Sequence, residues 1–241
     1  MKNLKITIIG NSVAIRNRPP EKYPHNKNYG ALLGEELSDK YPDLHVTVSN
    51  MSFSRATIMN IVQKYDDYFA TMPDYFIINL GVSDASTREI PYWYAELINK
   101  KGHNLIRSVF SAIHTYCIKP KRRFFVLLRG KRSWISQKKF RKYFNELIIM
   151  MKKETNAKII AIPINPANAR VENAIPGSRV KYIEYNKIME QIILKNEGVF
   201  VKFDDLVQKV HYPDGIHYSL QGNQFVTKKL FSIIEKDISN A

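Results

Sequence analysis

Two short segments near opposite ends of the chain contain residue types that could act as a nucleophile and its base. Gly10–Ser12 closes an apolar run, and Asp214 stands three positions before His217. A serine hydroxyl is a poor nucleophile at neutral pH and needs a general base, and a histidine serves as one when a carboxylate fixes its tautomer. Taken singly, both segments have plainer interpretations, because Ser12 could cap a helix and residues 213–215 could form a surface turn.

The alternation of apolar runs and helical patterns predicts the elements that position these segments. The predicted strands are Lys5–Gly10, Leu44–Ser49, Tyr75–Gly81, Arg123–Leu128, Lys158–Ile164 and Val199–Phe203. The predicted helices are Tyr29–Lys40, Thr57–Phe69, His103–Ile118, Ser136–Lys153, Val180–Leu194 and Ser219–Asp237, the last with Ser219 as its N-cap. Continuous apolar strands separated by helices favour a parallel sheet covered on both faces, in a doubly wound α/β topology.

The carboxyl ends of these strands are where a ligand would bind, because ligands of doubly wound sheets lie beyond that edge. The segments that follow the predicted strands are Gly10–Ser12, Asn50–Arg55, Gly81–Asp84, Arg129–Arg132 and Pro163–Ala169. The sequence therefore predicts that Ser12 lies at the edge of the sheet where a site would form.

The order and placement of these segments resemble the SGNH/GDSL hydrolase family over nearly the whole chain. Gly10–Ser12 corresponds to the family's early GDS block, and Asp214–His217 to its late D-x-x-H block. Asn50–Thr57 and Gly81–Asp84 stand where two further blocks supply the oxyanion hole. The resemblance implies a flavodoxin-like three-layer α/β/α sandwich with a central parallel sheet of about five strands, as one domain over residues 1–241. It also implies a catalytic triad of Ser12, His217 and Asp214.

Three positions depart from the family pattern. Asn11 replaces the Asp of the GDS block, Arg55 stands where the second block has Gly, and Ser83 stands where the third block has Asn. The implied oxyanion hole then consists of the Ser12 and Arg55 amides and the Ser83 hydroxyl. Arg55 can still supply its amide if its backbone conformation permits. Loss of one such donor typically costs about 10²–10³ in rate.

The activity that the resemblance implies is that of a serine esterase or deacylase. Its substrate would be an O-acyl ester, acetyl foremost, of a carbohydrate-like molecule. Two alternatives stay open: an acyltransferase with the same triad, and a catalytically weakened protein that binds an anionic glycan or a nucleotide-linked ligand. No cofactor and no metal are expected, since one cysteine and scattered histidines offer no ligand set.

Several further residues are candidate substrate contacts. They are Asn11, Asp84, Tyr92, Trp93, Arg129 and Arg132, with His211 as an additional candidate for lining the site. Tyr92 and Trp93 lie in a predicted loop after the third strand, where aromatic rings could stack on a sugar or an acyl group. Arg129 and Arg132 follow the predicted fourth strand and could hold a phosphate or an acidic sugar.

Composition and charge limit the remaining possibilities. The 241 residues are 44% hydrophobic, and the lone Cys117 excludes an intrachain disulfide. The net charge is +15, and residues 119–153 hold thirteen Lys and Arg against Glu146 alone. This favours an anionic ligand or peripheral contact with an anionic surface. The basic helix in that segment is more simply interpreted as a solvated face.

Some classes of partner and location are not expected. No nucleic-acid-binding motif accompanies the charge, so nucleic acid is not an expected partner. No apolar run approaches the length of about 18 residues that a membrane span needs, and there is no signal-peptide pattern. A cytoplasmic location is therefore expected. The sequence leaves the oligomeric state open.

Overall fold

A five-stranded parallel sheet organises the chain. The computed structural model describes residues 2–15, 27–100 and 104–239. The strands are β1 (Lys2–Gly10), β2 (Leu44–Asn50), β3 (Tyr75–Asn79), β4 (Lys158–Ala161) and β5 (Val199–Phe200). Their spatial order is β2-β1-β3-β4-β5, and all neighbours are parallel. Every residue of β3 is buried, as expected for a central strand covered on both faces.

Helices cover both faces of this sheet. They are α1 (Ser12–Ile15), α2 (Tyr29–Lys40), α3 (Ile58–Val62), α4 (Tyr65–Phe69), α5 (Val82–Ala85), α6 (Tyr92–Asn99), α7 (Leu105–Ala112), α8 (Arg122–Leu128), α9 (Gln137–Glu154), α10 (Ala169–Ala174), α11 (Ser178–Lys195), α12 (Gln208–His211) and α13 (Leu220–Ser239). A π-helix, Ile113–Ile118, and a 3₁₀ turn, Lys119–Lys121, connect α7 to α8. Helix α2 packs on α13, and α9 packs on α11. The predicted three-layer α/β fold with its flavodoxin-like strand order is confirmed.

The predicted fourth strand, Arg123–Leu128, is wrong. These residues belong to α8, in which Val126 is the buried residue. Phe124 and Leu128 are mostly exposed, so the run contributes only Val126 to the core. The place beside β3 is taken by β4 instead. A short apolar run does not by itself distinguish a strand from a helix, because periodicity needs a longer segment to show.

Two other elements differ from their prediction. Tyr92 and Trp93 lie in α6, which begins after Pro91, and not in a loop. The predicted helix 57–69 is two short helices, α3 and α4. The predicted start of a helix at His103 lies outside the described residues, and α7 begins at Leu105.

The start of α13 is fixed by its N-cap and by one close approach. The Ser219 hydroxyl accepts a hydrogen bond from the Gly222 amide at 3.0 Å, which confirms the predicted cap. A Cβ at Gly222 would lie 1.9 Å from the carbonyl oxygen of His211, so only glycine fits there. This contact holds the loop before α13, which carries Asp214 and His217, against α12.

Candidate active site

At the carboxyl end of β1, His217 lies within hydrogen-bond distance of both Ser12 and Asp214. The Ser12 hydroxyl is 3.0 Å from Nε2 of His217. Nδ1 of the same ring is 2.8 Å from a carboxylate oxygen, Oδ2, of Asp214. The fold thus brings together two segments that are 205 positions apart in sequence. The His217 side chain keeps 12% of its surface exposed, so the ring is accessible from solvent.

Asp214 is held by the turn that it builds. Its Oδ1 accepts hydrogen bonds from the amides of Ile216 at 2.8 Å and His217 at 2.7 Å. Burial opposes ionisation, but the hydrogen bond and charge of the His217 ring and these two amides together hold the pKa of the carboxyl below its usual range. An ionised Asp214 keeps the ring proton on Nδ1, which leaves Nε2 of His217 free to accept the proton of Ser12.

Gly215 gives this turn its shape. It adopts a positive φ of 82°, and a Cβ there would lie 2.4 Å from the side chain of Asn168. Asn168 caps helix α10 by accepting from the Val171 amide at 2.8 Å. The turn that carries Asp214 and His217 therefore packs directly on the N-terminus of α10.

Asn11 shapes the turn between β1 and α1. The side chain has no exposed surface. Its Oδ1 accepts a hydrogen bond from the Val13 amide at 3.0 Å, and the backbone N–H of Asn11 donates to the carbonyl of Asn79 at 3.2 Å. These bonds place Ser12 as the first residue of α1. Asn11, a predicted substrate contact, is thus positioned to orient the serine from beneath.

The three groups expected to form the oxyanion hole make no hydrogen bonds with the described residues. They are the amides of Ser12 and Arg55 and the hydroxyl of Ser83. Arg55 has a φ of 64°, in the left-handed region that favours glycine. This conformation matches the family's Gly at that position, and it costs an ordinary residue about 1 kcal/mol. Ser83 lies at the start of α5 and is 4% exposed.

Tyr92 lies beside Arg55, whereas Trp93 does not. Tyr92, Arg55 and Trp134 line one cavity of about 160 Å³. The Tyr92 hydroxyl accepts from the Asn60 side chain at 3.0 Å, and its ring meets Trp134 edge-on at 5.8 Å. Trp93 is 61% exposed and contacts the ring of the adjacent Tyr94. Tyr92 is therefore the one of the two predicted aromatic contacts that faces the Arg55 loop.

Asp84 is buried beneath the Arg55 loop. It has no exposed surface, and its Oδ1 accepts from the Ile58 amide at 2.9 Å. The other oxygen, Oδ2, has no hydrogen-bond partner among the described residues. Burial raises the pKa of the carboxyl to about 7, against backbone hydrogen bonds and the charge of Arg88, which lower it. The side chain anchors the start of α3.

Arg129 and Arg132 both form a hydrogen bond with the backbone of Arg88. Arg129 donates to the carbonyl of Arg88 at 2.7 Å, and the carbonyl of Arg132 accepts from the Arg88 amide at 3.0 Å. They reach this place from the end of helix α8, not from the end of a strand as predicted. Arg132 is exposed in a broad groove that also includes Lys131 and Lys138.

His211, the additional candidate, is engaged elsewhere. Its Nδ1 accepts from the Val207 amide at 2.9 Å, and its ring stacks on Phe225 at 4.7 Å. Burial lowers its pKa. Its side-chain contacts are with the N-cap of α12 and with α13, so it stabilises α12.

A cluster that the sequence did not predict lies next to Arg55. Arg88, Glu89, His114 and Arg122 line a cavity with Arg55. In the sequence, this cluster was indicated only by two charged residues, Arg88 and Glu89, that follow the Gly81–Asp84 block. No group of three or more His, Cys, Asp or Glu that could hold a metal ion occurs within 2–15, 27–100 and 104–239.

Comparison with known structures supports the fold. Axe2, an acetylxylan esterase from Geobacillus stearothermophilus, superimposes with a TM-score of 0.62 at 18% identity, over 95% of this chain and 93% of that one. TesA superimposes with a TM-score of 0.60 at 15% identity, over 95% and 96%. LAE5, an α/β hydrolase from the metagenome of Lake Arreo, Spain, gives 0.63 at 18%, over 95% and 94%. The chain thus has the three-layer α/β fold of SGNH hydrolases.

The family follows from the sequence match. Residues 6–230 match the model of the GDSL-like lipase/acylhydrolase family, so the chain belongs to that family, as its motifs predicted. No curated protein sequence gives a significant match. None of the helices in the described part of the chain combines the length and apolar character that a membrane crossing requires.

Proposed function

We propose that the protein is a serine esterase that removes a short acyl group from an O-acylated, carbohydrate-like substrate. The observation that carries the proposal is the chain of hydrogen bonds from Ser12 through His217 to Asp214 at the ligand-binding edge of the sheet. In Axe2, a serine-to-alanine and a histidine-to-alanine variant are both described as catalytic mutants. Membership of an acylhydrolase family supports the same reaction class.

The first half of the proposed reaction transfers the acyl group to the enzyme. Nε2 of His217 takes the proton of Ser12 while the serine oxygen attacks the ester carbonyl. The oxyanion is held by the unpaired amides of Ser12 and Arg55 and by the Ser83 hydroxyl. The protonated His217, stabilised by Asp214, then gives its proton to the departing alcohol as the ester bond breaks.

The second half releases the acid. A water molecule gives a proton to His217 and attacks the acyl-Ser12 carbonyl. The tetrahedral intermediate collapses, the proton returns to the serine oxygen, and the carboxylic acid leaves. If a sugar hydroxyl replaces the water, the same groups carry out acyl transfer, which is the alternative activity.

The surroundings of Arg55 support a carbohydrate-like substrate. The rings of Tyr92 and Trp134 beside Arg55 provide a surface on which a sugar can stack. Axe2 is itself an acetylxylan esterase, which supports this substrate class.

Active-site labelling tests the proposal. A fluorophosphonate probe reacts with an activated serine, and intact mass reports the adduct. We expect labelling of the wild type and of Ser232→Ala, which removes an exposed serine of α13, and none of Ser12→Ala or His217→Ala. Absence of labelling in folded wild-type protein would reject the esterase and the acyltransferase together, and leave a ligand-binding protein. Product analysis of unlabelled enzyme, given p-nitrophenyl acetate with water alone or with a sugar as acceptor, separates hydrolysis from transfer.

A further inference from the structure

A cavity next to the Arg55 loop gathers positive charge that ester hydrolysis does not use. Its volume is about 260 Å³, and it lies between the Arg88–Ile90 segment, α6 and the π-helix. Its charged lining consists of Arg55, Arg88, Lys119 and Arg122, with Glu89 as the carboxylate and His114 as a neighbouring imidazole. Four permanent cations therefore face a single carboxylate.

Glu89 offsets only part of this charge. Its Oε1 accepts from Nη2 of Arg122 at 2.8 Å and lies 3.2 Å from Nε2 of His114. Burial opposes ionisation, but the charge of Arg122 and the hydrogen bonds hold the pKa of Glu89 below its usual range. Glu89 is therefore ionised and forms an ion pair with Arg122. Arg55, Arg88 and Lys119 have no acidic partner among the described residues.

Arg88 is held in the cavity wall with its hydrogen-bonding capacity incompletely used. Its guanidinium lies over the ring of Trp134 at 4.1 Å, and Nη2 donates a long bond of 3.4 Å to the carbonyl of Ser83. Its buried Nε has no hydrogen-bond partner among the described residues. Burial, and then the charges of Arg122 and Arg55, lower its pKa. A buried cationic donor without a partner is costly, and an anion in the cavity would remove that cost.

We propose that this cavity is an anion subsite that holds a carboxylate or phosphate group of the substrate while its ester is cleaved. The inference rests on the proposed function for its link to catalysis. Arg55 makes that link, because its amide is a proposed oxyanion donor and its side chain lines the cavity. Arg88 also connects the cavity to the proposed oxyanion hole, because it donates a hydrogen bond to the carbonyl of Ser83. Guanidinium groups match the planar carboxylate and the phosphate oxygens by paired hydrogen bonds.

Calorimetric titration tests the subsite without requiring turnover. The probes are inorganic phosphate and glucuronate, added to the wild type, Lys119→Gln and Arg122→Gln. Lys121→Gln is the matched control, since Lys121 is exposed in the same turn and does not line the cavity. We expect the wild type and the control to bind at least one anion, and each cavity variant to bind it on the order of tenfold more weakly. The tighter of the two anions identifies the chemical source.

The outcomes separate the subsite from the esterase. If the wild type binds neither anion, or if the cavity variants bind as tightly as the control, the subsite is rejected whatever the labelling of Ser12 shows. If anions bind as expected and Ser12 is not labelled, the subsite stands and the esterase proposal falls.

An independent observation concerns the segment from α7 to α8, residues 105–128. Eight of the seventeen exposed large hydrophobic side chains in the described part of the chain lie in it. They are Leu105, Ile106, Val109, Ile113, Tyr116, Phe124, Leu127 and Leu128. Neither α7 nor the π-helix has a buried residue. Ile106, Val109 and Ile113 recur at helical spacing and form an apolar stripe that the described chain leaves uncovered.

The charge of this segment indicates what covers the stripe. It contains five cations and no acidic residue; the cations are Arg107, Lys119, Lys121, Arg122 and Arg123. A second copy of the chain carries the same net charge of +15 and would be repelled. Apolar side chains flanked by Lys and Arg are the pattern of helices that lie in the interface of an anionic bilayer. We infer that residues 105–128 dock the protein on an anionic lipid surface.

Vesicle co-sedimentation tests this docking. One set of vesicles is phosphatidylcholine alone, and the other is phosphatidylcholine in which about one lipid in three is the anionic phosphatidylglycerol. We expect wild type and Val180→Ser, which changes an exposed valine of α11, to bind the anionic vesicles and to be released by salt. The double variant Ile106→Ser and Ile113→Ser should bind on the order of tenfold more weakly. The docking is refuted if the wild type does not bind the anionic vesicles or if the double variant binds them equally well. If the wild type forms a dimer that the double variant does not form, the stripe is instead an interface with a second copy.

Discussion

Asp84 offers a quantitative test of how the fold tolerates a buried carboxyl group. Burial raises its pKa to about 7, because the carboxyl group has no exposed surface. Asp84→Asn keeps an oxygen for the Ile58 amide and removes the ionisable group. Because the two side chains have nearly the same shape, the substitution isolates the effect of charge.

The direction in which stability changes with pH follows from the pKa values of Asp84 in the unfolded and the folded state. In the unfolded chain Asp84 ionises near pH 4, and in the folded protein near pH 7. Between these values the folded state holds a proton that the unfolded state has lost, so stability falls as pH rises and then levels off above pH 7. A difference of about three pKa units corresponds to about 4 kcal/mol. The Asp84→Asn variant does not lose this stability as pH rises.

Urea unfolding at pH 4, 6 and 8 measures the effect. We expect Asp84→Asn and wild type to differ little at the lowest pH and the variant to be more stable by about 4 kcal/mol at the highest. Asp67→Asn, at an exposed position of α4, controls for the general effect of net charge. A difference between Asp84→Asn and wild type that stays constant with pH would refute a raised pKa at this position.

Three further substitutions test the site and the core. Asp214→Asn should lower kcat for p-nitrophenyl acetate by about 10⁴ while the circular dichroism spectrum is unchanged, since the ring of His217 would adopt the wrong tautomer; full activity would exclude the triad. Arg55→Gly, at a φ of 64°, should raise the free energy of unfolding by about 1 kcal/mol and preserve fluorophosphonate labelling; loss of labelling would show that the side chain is needed. Phe140→Ala, at a fully buried position stacked on Phe144, should lower the free energy of unfolding by about 3–5 kcal/mol in urea; a change below about 1 kcal/mol would show that the core collapses around the gap.

The sequence predicted the parts of the fold that local pattern determines. Strands β1, β2 and β3 and helix α13 carry clear periodicity or clear boundaries. Ser219 caps α13 as predicted because the cap is a contact between neighbours in sequence. The pairing of Ser12 with His217 was predictable through the family motifs, although the two lie far apart. Organisation as a single domain and a cytoplasmic location stay predictions.

What the sequence did not predict depends on tertiary contacts. Residues 123–128 read as a strand because five apolar residues carry no distinguishing period. The cavity cluster was missed for another reason: Arg55, Arg88 and Arg122 lie more than 30 positions apart and meet only after the segment between β3 and β4 has folded. Isolated arginines have no motif, so their convergence was visible only in three dimensions.

The distance along the chain between Ser12 and His217 has a consequence during synthesis. Ser12 leaves the ribosome about 200 residues before its partner. A chain that stalls before residue 217 lacks the base that we propose for Ser12, and under that proposal its hydroxyl stays inert. Helix α13 also binds α2 through the Tyr29 amide and Asn223 at 2.9 Å. Under the proposed mechanism, reactivity arises only after residue 217 has been made and α13 has docked, so unfinished copies do not become acylated by cellular esters.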